Sequence, residues 1–172
     1  KLYNCALSGN SATFGGAAFY AKLQDCRLAG NRASAGGAVY QSDLDRCQVQ
    51  GNTAFEDGGG AYRGTMRNCA VAANRAYNGG GCYNSTVSNS FLTGNAACQG
   101  GGAAYGTLYN CTVTGNRATL EGGGTGWAHL YNSIVYFNHA AEAANCQGCV
   151  LHYCCTAPLA AGDCNISDDP GL

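Results

Sequence analysis

The sequence predicts an all-β fold, a right-handed parallel β-helix (solenoid) of about 7–8 coils with 21–22-residue repeats. Three observations predict it. A repeat runs along almost the whole chain, glycine runs interrupt the first six coils, and side-chain type alternates with a period of two inside the repeat.

The repeat is anchored by Asn10, Asn31, Asn52, Asn74, Asn95, Asn116 and Asn138, in steps of 21 or 22 residues. Alanine follows each by two positions, from Ala12 to Ala140. An aliphatic residue precedes each by three: Leu7, Leu28, Val49, Val71, Leu92, Val113 and Val135. Two residues before that stands a thiol or its small replacement: Cys5, Cys26, Cys47, Cys69, Ser90, Cys111 and Ser133. The repeats open on Leu2, Leu23, Leu44, Met66, Val87, Leu108 and Leu130. The first six contain Gly-Gly or Gly-Gly-Gly and close on Tyr20, Tyr40, Tyr62, Tyr83, Tyr105 or Trp127.

Each element follows from this spacing. A helical repeat needs an amphipathic stretch of about ten residues with 3.6 periodicity, and the glycine runs leave none. Cys5 and Leu7 are two apart and share a strand face, whereas Leu2 and Cys5 are three apart, so the chain bends between them. A coil of this length therefore holds about three short strands and three turns. Coils stacked at ~4.8 Å turn every repeated position into a ladder of like residues. Leu/Val, Cys and Ala ladders fill a narrow core, and the Asn ladder belongs at a turn, with amides bonding from coil to coil. The handedness follows from the rule for parallel crossovers. The leucine-rich repeat, the nearest competitor at this period, is disfavoured by the missing Leu-x-x-Leu-x-Leu signature.

A second polar ladder comprises Asn4, Asp25, Arg46, Asn68, Asn89, Asn110 and Asn132. Asp25 with Arg46, and Asp45 with Arg67, occupy like slots in neighbouring coils, and such cross-strand pairs contribute about 0.2–1 kcal/mol. Residues 1–140 read as regular coils. Residues 141–172 read as a degenerate last coil, restarting at Leu151 and Cys154, and a Cys-rich C-terminal cap.

Composition narrows the function. Charged residues make up 11 % of the chain and the net charge is −1, so no basic stripe and no nucleic-acid partner are expected. No apolar run approaches the ~20 residues of a membrane span. Neither a signal peptide nor an initiator Met is present, consistent with a mature piece or a fragment. Twelve cysteines point to an extracellular or cell-surface setting.

The densest acidic group is Asp43, Asp45, Glu56 and Asp57, read as paired or solvated surface rather than a catalytic carboxylate pair. Asp168-Asp169 before Pro170 is a turn signal. His129, His139 and His152 fall in different slots and form no metal face. The column Tyr20, Tyr40, Tyr62, Tyr83, Tyr105 and Trp127 reads first as structural stacking, with glycan stacking as the alternative. Cys146, Cys149, Cys155 and Cys164 lie off the thiol ladder. Disulfides pinning the cap are preferred over a zinc site or free thiols, and three pairings are open. Cys82 and Cys98 have no assigned role. The ladder thiols Cys5, Cys26, Cys47, Cys69 and Cys111 are expected to stay unbridged, because in-register Cβ atoms sit farther apart than the ~3.8 Å a bridge prefers. Asn84, Asn110 and Asn165 head glycosylation sequons, of consequence in a secreting eukaryote.

Four stretches carry a family resemblance: Leu-Tyr-Asn-Cys-Thr-Val-Thr-Gly-Asn-Arg-Ala at 108–118, Gly-Gly-Ala at 15–17 and 36–38, Asn-Ser-Ile-Val-Tyr-Phe-Asn at 132–138, and Asn-Ile-Ser-Asp-Asp-Pro-Gly-Leu at 165–172. They resemble bacterial right-handed β-helix repeat proteins related to polymorphic outer-membrane proteins and choice-of-anchor Q surface proteins. The resemblance implies a secreted or surface-anchored solenoid, often adhesive, with no catalytic residues to carry over. The abundance of Cys departs from it. The expectation is a non-catalytic extracellular structural or adhesive solenoid without cofactors, and the alternative is a carbohydrate-active β-helix. Expected partners are further coils of a parent chain or end-to-end copies, together with surface glycans. The N-terminal coil, which opens directly on a ladder residue, is expected to be covered by another β-coil.

Overall fold

A computed structural model describes residues 1–158, 162 and 164–172, and shows a parallel β-solenoid of about seven turns with no helix among them. Three parallel sheets form its walls. The first face stacks eight strands, from Leu2–Tyr3 and Lys22–Gln24 to His129–Tyr131 and Val150–His152. The second also stacks eight, from Ala6–Ser8 to Cys155–Thr156, and the third stacks seven, from Ala18–Phe19 to Cys146–Gln147. Short paired segments such as Arg32–Ala33 with Thr53–Ala54, and Ala96–Gln99 with Arg117–Glu121, close the circuit between the second and third faces.

The register is that of like residues on like. Leu2 pairs with Leu23, Met66 with Leu44 and Val87, and Val71 with Val49 and Leu92. On three-residue strands the middle side chain points in and its neighbours point out. Leu23, Leu44, Met66, Val87, Leu108, Leu130 and Leu151 line the core from the first face. Leu28, Val49, Val71, Leu92, Val113 and Val135 line it from the second. Each fully buried aliphatic is worth roughly 1.5–3 kcal/mol. The third face adds smaller residues (Val39, Ala61, Cys82, Ala103 and Thr125), which keeps the prism narrow. Cys82 is thus one rung of an inward column of small residues that ends in Cys146.

The corners explain the second polar ladder. Asn4, Asp25, Arg46, Asn68, Asn89, Asn110, Asn132 and Tyr153 all have φ of 49–56°. This left-handed region is costly for most side chains and least so for Asn and Asp. The corner after the second face also uses positive φ, supplied mostly by glycine, as at Gly51 (φ 64°). Backbone hydrogen bonds run from coil to coil in both directions, for example Asn4 N–H to Gln24 O at 3.1 Å and Arg27 N–H to Cys5 O at 2.9 Å. All three walls continue past residue 140, through 146–147, 150–152 and 155–156.

One of the two expected charge pairs needs correction. Asp25 and Arg46 do form a two-pronged ion pair, at 2.8 and 2.9 Å. Asp45, however, is engaged by Arg46 at 2.7 Å and by Asn68 Nδ2 at 3.0 Å rather than by Arg67. The left-handed corner carries Arg46 and Asn68 back over Asp45. An additional pair joins Lys22 to Asp43 at 3.5 Å.

Candidate functional site

The asparagine ladder is a buried structural spine. Asn31, Asn52, Asn74, Asn95 and Asn116 are each at most 1 % exposed and sit inside the corner after the second face. The Oδ1 of each accepts from both the N–H and the Nδ2 of the asparagine one coil earlier; Asn95 Oδ1 takes Asn74 N–H at 3.0 Å and Asn74 Nδ2 at 3.0 Å. Each Nδ2 also donates back to the ladder aliphatic's carbonyl, as Asn95 Nδ2 does to Val71 O at 2.9 Å. Asn145, which the repeat pattern missed, ends this ladder. It accepts from Asn138 N–H and Nδ2 at 3.1 and 3.0 Å, then donates to Ala157 O at 2.7 Å. It reaches there from the slot that holds Gly124 one coil below, where a Cβ would already lie 2.8 Å from Asn138 Nδ2.

The thiol ladder staples the first corner. Cys26, Cys47, Cys69 and Cys111 donate Sγ–H to the carbonyl two residues back, at 3.1–3.3 Å. Ser90 and Ser133 do the same at 2.7 and 2.9 Å. The heteroatom also accepts from the preceding coil, as Ser90 Oγ does from Cys69 N–H at 3.0 Å. Cys154 is the next rung, and its N–H donates to Asn165 Oδ1 at 2.9 Å, so the C-terminal segment closes this ladder also. Ser42 and Ser85 staple the third corner in the same way, a ladder that sequence reading did not find. Burial pushes the Cys111 thiol up to about 11 and the Cys82 thiol up to about 12.

The bridges expected among Cys146, Cys149, Cys155 and Cys164 are absent, since all twelve cysteines are free thiols. Geometry separates them. Cys146 and Cys149 are not off the ladders: they occupy inward slots on either side of the third corner, facing Thr125 Oγ1 at 3.6 and 3.4 Å. Hydrogen bonds from the Cys146 thiol, Thr125 and Ala128 N–H hold the Cys149 thiol below the ordinary thiol range. Cys155 lies on the second face with its Sγ turned to Asp168 O at 3.2 Å, and Cys164 is exposed.

The aromatic column faces outward, and its members differ from those expected. In register the column is Phe19, Tyr40, Tyr62 and Tyr83, followed by Ala104 and Gly126. Tyr20, Tyr105 and Trp127 stand one position later, on the left-handed corner. The rings nevertheless form one stack. Phe19–Tyr40, Tyr40–Tyr62, Tyr62–Tyr83 and Tyr105–Trp127 are near-parallel at 4.9–5.5 Å, and Tyr83–Tyr105 is tilted at 5.3 Å. Tyr20 packs edge-on against Phe19. Ring faces inside the stack are occupied by neighbouring rings, so edges and hydroxyls are what the column offers to solvent. A shorter stack, Tyr109–Tyr131–His152, stands on the first face.

The acidic residues do not converge. Asp43 and Asp45 point outward from one strand of the first face and are ion-paired. Asp57 lies at the start of the third face, accepting from Asn78 Nδ2 at 2.9 Å. Asp169 Oδ1 caps the Gly171 N–H at 2.9 Å. His129 and His152 occupy the two outward columns of the first face, whereas His139 is on the short-segment edge.

The expectation of no basic stripe is overturned on that edge. The outward column of the short segments reads Ser11, Arg32, Thr53, Arg75, Ala96, Arg117 and His139. All three arginines and the histidine are exposed. Beside them lie exposed Phe55 and Tyr77, with Arg32 over the Phe55 ring at 4.4 Å. The balanced total charge conceals this column because the acids occupy other slots. No protein-family model and no curated protein matches the chain.

Proposed function

We propose that the chain is a non-catalytic structural or adhesive β-solenoid that works outside the cell, as a segment of a larger surface protein or as the subunit of a filament. One observation carries this reading. The side chains best suited to chemistry (the amide and most of the thiol and serine ladders) are committed to hydrogen bonds that hold successive coils together, and the acids are paired or dispersed over separate faces. Such a body presents long, regular outer faces and is suited to spacing and display. The resemblance to bacterial surface β-helix proteins supports the extracellular setting. A panel of uronic-acid polymers and neutral glycans tests the non-catalytic reading. No turnover is expected, and turnover lost on Asp45→Asn or Asp57→Asn would overturn it. Surface labelling of intact source cells tests the location, and an exclusively internal protein would refute it.

A further inference from the structure

We infer that the short-segment edge bearing Arg32, Arg75, Arg117 and His139 binds a linear acidic polysaccharide, laid along the solenoid axis with its carboxylates or sulfates on the arginines. This deepens the adhesive reading by naming the chemistry it meets. The first support is the spacing. Arg32, Arg75 and Arg117 are separated by two coils each, with Thr53 and Ala96 between them, so the cations repeat at about 10 Å along a straight line.

The second support is that these cations are unspent. Among the described residues the ion pairs involve Lys22, Arg46 and their aspartates, and none involves Arg32, Arg75 or Arg117. Three acids lie in the neighbouring column; two of them are engaged within it, and the third, Glu142, is exposed at the His139 end. Asp57 accepts from Asn78, and Glu121 accepts from Gln99 Nε2 at 2.8 Å. A guanidinium without an internal carboxylate offers the two-pronged geometry that matches an incoming carboxylate or sulfate.

The third support is a groove. Arg75 and Arg117 flank a depression of about 330 Å³ floored by Ala96, Ala97 and Cys98 and edged by Thr119. Small side chains at the floor let a narrow chain approach the backbone between the two cations. Tyr77, at 56 % exposure, is outside the stacked aromatic column, so its ring faces are available to the apolar face of a sugar, while Phe55 lies against the Arg32 guanidinium at 4.4 Å. A polysaccharide suits this edge better than a nucleic acid. Phosphates repeat about every 3.4 Å along a duplex strand, a charge density that three widely spaced arginines beside an acidic ladder match poorly.

The test uses the whole chain and measures binding by calorimetry at low and moderate salt. Polygalacturonate supplies carboxylates, chondroitin sulfate supplies sulfates, dextran is the neutral control and oligothymidylate the nucleic-acid control. Binding is expected to one or both acidic polysaccharides, weakening with salt, with the stronger of the two identifying the anion. The double variant Arg75→Gln/Arg117→Gln should weaken binding at least about tenfold, the loss of one or more charge-assisted hydrogen bonds. Arg27→Gln/Arg67→Gln, which changes net charge equally on other faces, should stay within about twofold. These arginines are exposed, and unchanged circular dichroism would confirm that both variants fold. No binding to either acidic polysaccharide, equal losses in the two double variants, or tighter binding to oligothymidylate would each overturn the inference. An enzyme that cleaved the polymer would refute the non-catalytic reading and leave this edge standing, whereas absence of binding would refute the edge alone.

Discussion

Replacing Asn95 by alanine removes one rung of the buried amide spine, and the structure indicates the cost. Asn95 Oδ1 is the acceptor for Asn74 N–H, and Asn95 Nδ2 is a donor to Val71 O at 2.9 Å. Both backbone groups lie in the dry interior, where Asn74 and Val71 are at most 1 % exposed. Val71 O keeps its strand partner, the Thr93 N–H, whereas Asn74 N–H loses its acceptor altogether. Asn74 Nδ2 keeps Val49 O, and Asn116 Oδ1 keeps Asn95 N–H, so those two groups also lose only one of two bonds. One fully orphaned buried group costs about 1–3 kcal/mol, so a total near ~2 kcal/mol is expected. For a chain of this size that corresponds to a fall in Tm of about 4–8 °C. The matched control is Asn110→Gly at an exposed corner. Glycine keeps the left-handed conformation and gives up only an exposed 3.2 Å bond to Asn89, so a shift within about 0.5 kcal/mol is expected. Thermal and urea unfolding followed by circular dichroism would compare the two. Should Asn95→Ala melt no lower than Asn110→Gly, the amide ladder does not hold the coils together and the argument fails.

Three further outcomes follow from the same geometry. Cys111→Ser should lie within about 1 kcal/mol of the parent in urea, because Ser90 and Ser133 fill equivalent rungs; Cys111→Ala, which loses the bond to Tyr109 O, should be the less stable of the two, and the reverse order would reject the staple. Gly102→Ala should destabilise by about 1–3 kcal/mol or more, since its Cβ would lie 2.6 Å from Gly124 O and 2.8 Å from Val113 Cγ1. Gly51→Asn, at φ 64° with open space around it, should fold with near-parental stability by the same melt. Asp25 is held below the usual carboxylate range by its hydrogen bonds from Arg46, so its contribution to stability is present at neutral pH and is lost only as pH falls through its lowered folded value. Carboxyl NMR titration should place the Asp25 midpoint below the usual aspartate range, and Arg46→Gln should raise it; a midpoint that Arg46→Gln leaves unmoved would contradict the pairing.

The fold was legible because each coil restates the same constraints. One inward aliphatic, one thiol or hydroxyl and one amide recur at fixed spacing, and seven repetitions leave little ambiguity. Legibility failed where a residue acts from a slot other than its usual one. Asn145 completes the amide ladder from the glycine slot, and its signal was a bulky residue at a position that is Gly60, Gly81, Gly102 and Gly124 in earlier coils. The aromatic stack deceived for a related reason. Tyr20 to Tyr40 spans 20 residues and Tyr83 to Tyr105 spans 22, so the ring position shifts by one along the backbone: Phe19 takes the place of Tyr20 on Tyr40, and Tyr105 meets Tyr83 tilted. The four C-terminal cysteines cluster along the chain but fall in different places on the solenoid: Cys146 and Cys149 flank the third corner, Cys155 is on the second face, and Cys164 is exposed.

The arginine edge shows most clearly what a sum over the chain loses. Nine basic and ten acidic residues cancel in the total, and that balance argued against any charged stripe. A solenoid sorts side chains by slot, however, so the relevant sum is taken down a column. The signal was already present beside the strongest motif: Arg32, Arg75, Arg117 and His139 each immediately follow a ladder asparagine. Because that asparagine points inward at a corner, the next residue on the extended segment must point outward. Its neighbours one coil away are Ser11, Thr53, Ala96 and His139, none of which carries a carboxylate. The same backbone periodicity that buries the amides therefore sets their successors in a straight outward line.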